Sequence, residues 1–137
     1  MTTVLRTFLF AWQFLTAIPL SCSTHDAKPE ELAASMSWYP FVGCLLGALL
    51  VTADLYLGRV FSAQVTSMLL MLLLIVLTRG LHQDGLADMV DGLAGGRTAQ
   101  ARLAIMKDAH IGAVGATGLF VAPGLRYAGL TAMPAGE

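Results

Sequence analysis

The chain has 137 residues, of which 56% are hydrophobic and 12% charged, and its net charge is −1. Soluble domains carry about 25% charged residues, so too little polar surface is present to clothe a soluble globule; a mean hydropathy of +0.70 agrees. No cluster of basic residues suits a nucleic-acid surface, so no nucleic-acid partner is expected, and the length suits a single integral-membrane domain, residues 1–137.

Charges divide the sequence into apolar blocks. The first runs from Thr7 to Thr24, is broken by Gln13 and ends near Pro19. It follows Arg6 as a signal-peptide core would, but Trp12, Gln13 and the lack of a small-x-small cleavage pattern favour a retained segment that spans, re-enters or lies in the interface. The second block runs from Leu32 to Ala53, and its membrane part is expected to begin near Trp38 or Tyr39, aromatic residues suited to the headgroup level. Gly43 and Gly47 within it have the G-x-x-x-G spacing that lets another helix come close. The third, Val60 to Thr78, holds about 19 uncharged residues, roughly the length of a spanning helix. The short connection from Tyr56 to Phe61 makes the second and third blocks a hairpin. The fourth runs from Ile111 to Leu130, with Arg126 near its end.

The expected fold is all-α: a polytopic helical membrane protein with about three to four membrane segments. In such a hairpin the polar stretches Ser21–Ser37 and Arg79–His110 share one side. Arg79, Arg97, Arg102 and Lys107 outnumber Arg59 opposite, which places the long loop on the cytoplasmic side of a multi-pass cell-membrane protein. Cys22 and Cys44 have no metal-ligand spacing and read as structural.

The stretch that carries chemistry follows the third block. Asp84, Asp88 and Asp91 stand at i, i+4 and i+7, a narrow arc of one helix face. Like charges at i, i+4 destabilise a helix by a few tenths of a kcal/mol, and a bound divalent cation relieves three of them most simply. Oxygen-only ligands favour Mg²⁺, with Mn²⁺ as the alternative. Mg²⁺ commonly takes one or two carboxylates plus substrate phosphates, which suits phosphoryl transfer. His82 faces elsewhere on a helix, and serves as general base or phosphate donor only if the helix starts after it. Gly85 and Gly92 flank the acids as though a substrate or another backbone came close. Three aspartates at a helix end also make an ordinary solvated face; in so apolar a chain the functional reading is preferred. A second cluster holds Arg97, Arg102, Lys107, Asp108 and His110 on and after a short helix, Ala99 to Met106, capped near Thr98. Its basic residues suit a phosphate-rich substrate, and an amphipathic surface helix is the plainer account. Asp108 is a candidate further metal ligand.

These residues resemble the cobalamin synthase family, adenosylcobinamide-GDP ribazoletransferase. Phe14-Leu-Thr-Ala-Ile-Pro and Tyr39-Pro-Phe-Val-Gly resemble its first segments. Gly80-Leu-His-Gln-Asp-Gly-Leu-Ala-Asp-Met-Val-Asp-Gly resembles its most distinctive motif, and Ile105-Met-Lys-Asp with Ile111-Gly the next. Arg79 stands where the family usually has glycine, Gln83 where it is commonly apolar and Ala109 where serine is frequent. Members continue for several more helices, so the chain reads as the N-terminal half.

The resemblance implies an integral-membrane, Mg²⁺-dependent transferase of the bacterial inner membrane in cobalamin biosynthesis. The 5′ hydroxyl of α-ribazole, or of its phosphate, would attack the phosphate attached to cobinamide in adenosylcobinamide-GDP and release GMP. Asp84, Asp88, Asp91 and Asp108 would hold metal; His82, Asp84 or Asp88 would act in catalysis; Arg102, Lys107 and His110 would hold substrate phosphates. A homo-oligomer or a complementing C-terminal half is an expected partner alongside the lipid bilayer. Competing readings are a CDP-alcohol type phosphotransferase, an inactive membrane module, and a cation conduit.

Overall fold

The computed structural model describes residues 3–20 and 28–133. Cys22 and the first part of the N-terminal polar stretch lie outside them. Among the described residues all regular structure is helical. The helices are α1 (Thr3–Leu15), α2 (Pro29–Ser35), α3 (Tyr39–Leu57), α4 (Ala63–Leu77), α5 (Leu81–Gly95), α6 (Ala99–Met106) and α7 (Ala113–Ala132), and a single 3-10 turn, Met36–Trp38, joins α2 to α3.

The expected hairpin is present, with α3 packed on α4. Ala11, Val42 and Leu46 form the small buried core, and Trp38, Tyr39 and Leu77 pack against it. The start of α3 and the end of α4 therefore meet at one end of the molecule, so the polar stretches before α3 and after α4 lie together. α1 closes this end. Its Thr7 hydroxyl accepts a bond from the Trp38 indole N–H at 3.2 Å, Arg6 pairs with Glu31 at 3.3 Å, and Phe14 stacks on Tyr39 with ring centres 5.8 Å apart.

Apolar blocks and helices do not coincide. The first block leaves the helix after Leu15, and by Ala17 the backbone N–H donates to Leu77 O instead of to the preceding turn; Pro19 then keeps Ile18 out of the helical region. Its 13 residues reach about 20 Å at the rise of an α-helix, short of a bilayer core of about 30 Å. The third block yields only 15 residues of helix. One continuous helix among the described residues is long and apolar enough to cross a membrane, Pro29–Leu57. A second candidate exists if α4 and α5 count as one span broken by an 85° bend. In α7, glycines, Pro123 and Arg126 dilute the hydropathy.

The chain exposes 9511 Å², whereas a soluble monomer of this mass exposes about 6,900 Å². Many large apolar side chains contribute to it, Val60, Phe120 and Leu125 among them. Around Gly43 and Gly47 the space is open, so no helix among the described residues uses the close approach they offer. Cys44, on the same helix, is an exposed thiol.

Candidate functional site

The break between α4 and α5 builds the site. The Gly80 N–H donates to Ile75 O at 2.9 Å and the Arg79 N–H to Val76 O at 3.3 Å, the paired bonds that end a helix in a left-handed turn. Arg79 takes φ +52° and Gly80 φ +70°. Glycine adopts this region freely; a residue with a Cβ does so at a cost of about 1–2 kcal/mol. The turn is tied to the segment after α1. The Ala17 N–H donates to Leu77 O at 2.6 Å, and the Arg79 guanidinium donates to Ala17 O at 3.2 Å.

α5 then runs beneath α6 and α7, and its glycines make the contacts close. At Gly92 a Cβ would lie 2.7 Å from Met106 Cγ and 3.2 Å from Arg102 O, so the neighbouring backbone does come close there. Gly85 has nothing within 4 Å. α6 begins where expected, with the Thr98 hydroxyl accepting from the Ala101 N–H at 3.2 Å.

A cavity of about 970 Å³ opens between the end of α1, the α4–α5 turn and the α6–α7 connection. Asp84 and Asp88 line it from α5, and Lys107, Asp108 and His110 from the connection. Five of the expected residues, separated by more than a helix in sequence, thus share one wall-to-wall space. Arg79, Gln83, Gln13, Phe14 and Thr16 are also among the lining residues. None of these five was singled out as a site residue from the sequence, because only the folded turn and the return of α1 bring them there.

Three expected residues stand elsewhere. Asp91 accepts two short backbone bonds, from the Gly112 N–H to Oδ2 and the Gly115 N–H to Oδ1, both at 2.7 Å. Its carboxylate therefore clamps the N-terminus of α7, whose dipole favours a negative charge, and it does not line the cavity. His82 is exposed and lies within α5, which begins at Leu81; the condition for its use as base, a helix starting after it, is not met. The Arg102 Nε–H donates to Gly96 O at 2.9 Å, so its guanidinium straps the α5–α6 turn instead of facing the cavity.

Asp108 and His110 form a pair. His110 Nδ1 lies 2.7 Å from Asp108 Oδ1, which also accepts the His110 backbone N–H at 3.1 Å. The side-chain hydrogen bond, then the opposite charge, holds the imidazole pKa above its ordinary value. The same side-chain bond, followed by the backbone bond, holds the Asp108 carboxyl below its own.

Among the described residues no three His, Cys, Asp or Glu side chains converge on one point as in a closed metal cage. The donors present are carboxylate oxygens, two of them a helical turn apart on one cavity wall. That set suits a hard cation whose coordination is completed by substrate oxygens and water.

Residues 7–136 match the family model described as cobalamin-5-phosphate synthase. The chain belongs to the cobalamin-5-phosphate synthase family. It is 42% identical over 130 residues to the adenosylcobinamide-GDP ribazoletransferase of Geotalea daltonii, covering 95% of this chain and 52% of that one. It is 41% identical over 132 residues to the protein of that name from Desulfitobacterium hafniense, covering 94% and 52%. Against the Chlorobium chlorochromatii protein the identity is 50% over 86 residues, covering 62% and 34%. The chain thus spans about half the length of the first two family members. No solved structure matches it.

Proposed function

We propose that this chain carries the acidic half of the active site of an adenosylcobinamide-GDP ribazoletransferase. The carrying observation is that Asp84 and Asp88 of α5 and the Lys107–His110 segment line one cavity. The names of the relatives supply the donor and the ribazole acceptor; in the proposed reaction adenosylcobinamide phosphate passes from adenosylcobinamide-GDP to α-ribazole or its 5′-phosphate. A free ribose hydroxyl oxygen of the acceptor, not the 5′ oxygen that its phosphate already occupies, bonds to the cobinamide phosphorus as the pyrophosphate P–O bond breaks and GMP leaves.

Asp84 and Asp88 are the residues that would hold Mg²⁺, or Mn²⁺, which neutralises phosphate charge and stabilises the leaving group. Lys107 sets a positive charge against a phosphate oxygen. His110, with Nδ1 turned to Asp108, presents Nε2 as acceptor for the hydroxyl proton, so it replaces His82 in that role. Gln83, which lines the cavity, offers its amide to the polar parts of the substrate. The apolar surface and the Pro29–Leu57 helix support a place in the bacterial inner membrane with the cavity on the cytoplasmic side. The large uncovered apolar surface supports action alongside further apolar helices, those of a complementing C-terminal half or of a second copy.

The test is incubation of detergent-purified protein, alone and with the matching half of a relative, with adenosylcobinamide-GDP, α-ribazole and Mg²⁺. GMP and the joined product should form. Asp84→Asn or Asp88→Asn should abolish turnover while membrane insertion persists. Full activity in either variant removes the metal assignment. Turnover of a CDP-alcohol in place of the corrinoid moves the chain to that class, and inactivity in every combination makes it a non-catalytic module.

A further inference from the structure

The Arg79 turn is strained at the one place where glycine would relieve it, and the strained side chain lines the cavity. The position after a helix end that carries the left-handed φ is the one glycine favours most strongly. A non-glycine residue persists there when its side chain contributes something, and such outliers gather at binding sites.

The surroundings say what that contribution is. Arg79 and Lys107 are the cavity's two permanently charged basic residues, lining it together with Asp84, Asp88 and Asp108. Neither forms an ion pair among the described residues, where the salt bridges are Arg6 with Glu31 and His110 with Asp108. Among the described residues the one hydrogen bond of the Arg79 side chain runs from Nη2 to Ala17 O. That bond tethers one corner of the guanidinium and leaves its other N–H groups without an acceptor among the described residues. A planar fork so held matches two oxygens of a phosphate, where an ammonium offers only a point charge.

We propose that Arg79 is a substrate-binding residue that grips the pyrophosphate of the nucleotide-activated substrate across the cavity from Lys107. The backbone strain at Arg79 is tolerated because the turn aims the guanidinium into the site. Asp84 and Asp88 would hold a divalent cation that neutralises pyrophosphate charge, and Arg79 and Lys107 reach the pyrophosphate directly. This rests on the reaction class proposed above.

The experiment compares binding of adenosylcobinamide-GDP and of α-ribazole, which carries no phosphate, by titration calorimetry on the purified chain with Mg²⁺. Arg79→Gly should weaken adenosylcobinamide-GDP binding roughly tenfold, about 1.4 kcal/mol, and leave α-ribazole binding unchanged. Its melting temperature should not fall, because glycine relaxes the turn. Arg79→Lys, which keeps the charge, should fall between the two for adenosylcobinamide-GDP. Wild-type affinity in Arg79→Gly, or equal losses for both ligands, overturns the assignment. A wild-type chain that binds neither ligand overturns the proposed reaction, and this inference with it.

Discussion

The α3–α4 hairpin and the α5–α6–α7 cluster both carry glycines and are held together by different means. The hairpin has only Asp54 and Arg59 as charges, whereas the cluster holds the acidic motif and its basic companions. In the hairpin, Gly43 and Gly47 face open space, and Leu45, Leu49, Val51 and Leu55 are exposed around them. In the cluster, Gly92, Gly96, Gly112 and Gly115 are each filled by a neighbour, and the half-buried Asp91 carboxylate joins two helices. Apolar side chains drive association only where water is the alternative. The hairpin thus leaves its surface to the bilayer or to another chain, while the cluster is fixed by contacts internal to this one.

Substitutions can break that contrast. The largest effect on stability is expected at Gly115, where a Cβ would overlap the Asp91 carboxylate and lie 2.9 Å from Ala87 O. Gly115→Ala should lower unfolding stability by about 3 kcal/mol through overpacking and loss of the clamp, measured by thermal unfolding in detergent. Asp91→Ala should follow closely, costing about 2–3 kcal/mol for two charge-assisted bonds. If Asp91→Ala instead leaves stability intact and removes Mg²⁺ binding, the residue is a ligand as its spacing first suggested. Gly43→Ala and Gly47→Ala should do the reverse, raising stability by about 0.5–1 kcal/mol because alanine suits a helix interior better. A loss at either position would show that a partner helix occupies that face.

The smallest effect is on pH dependence. If the proton goes to His110, turnover is present while the ring is neutral and is lost as pH falls through its pKa. Asp108 raises that pKa, so Asp108→Asn should move the acid limb of kcat/KM to lower pH. An unmoved limb would assign the proton to a carboxylate.

The sequence made the acidic helix and its partner segment legible, because i, i+4 spacing depends only on helical geometry. It located Asp84 and Asp88 on one face and named Lys107, Asp108 and His110 as companions. Spacing does not say what lies opposite a face. Asp91 shares the arc but sits one turn further along, where α7 begins, and its partners are backbone amides that no side-chain pattern reveals. Arg102 was read by its charge, whereas its place beside the Gly96 carbonyl depends on how tightly the α5–α6 turn closes. Helix lengths were overestimated because hydropathy runs unbroken through Ile18-Pro19, where the backbone cannot. The cavity role of Arg79 was hidden by the sharpness of the α4–α5 bend, since a residue at the end of an apolar block would ordinarily face water.

The Asp91 clamp also sets the smallest piece of this chain that can act as a site. Its partners are 21 and 24 residues downstream. A fragment ending before Gly112 would keep every aspartate of the motif yet have no α7 to seat against α5, and the segment carrying Lys107 and His110 would be held only at its α6 end. During synthesis the acidic helix is made first and stays an unfinished surface until those amides arrive. Cavity and hydrophobic helix are therefore completed in one event, so a chain that has failed to dock α7 has no finished cavity in which to hold substrate.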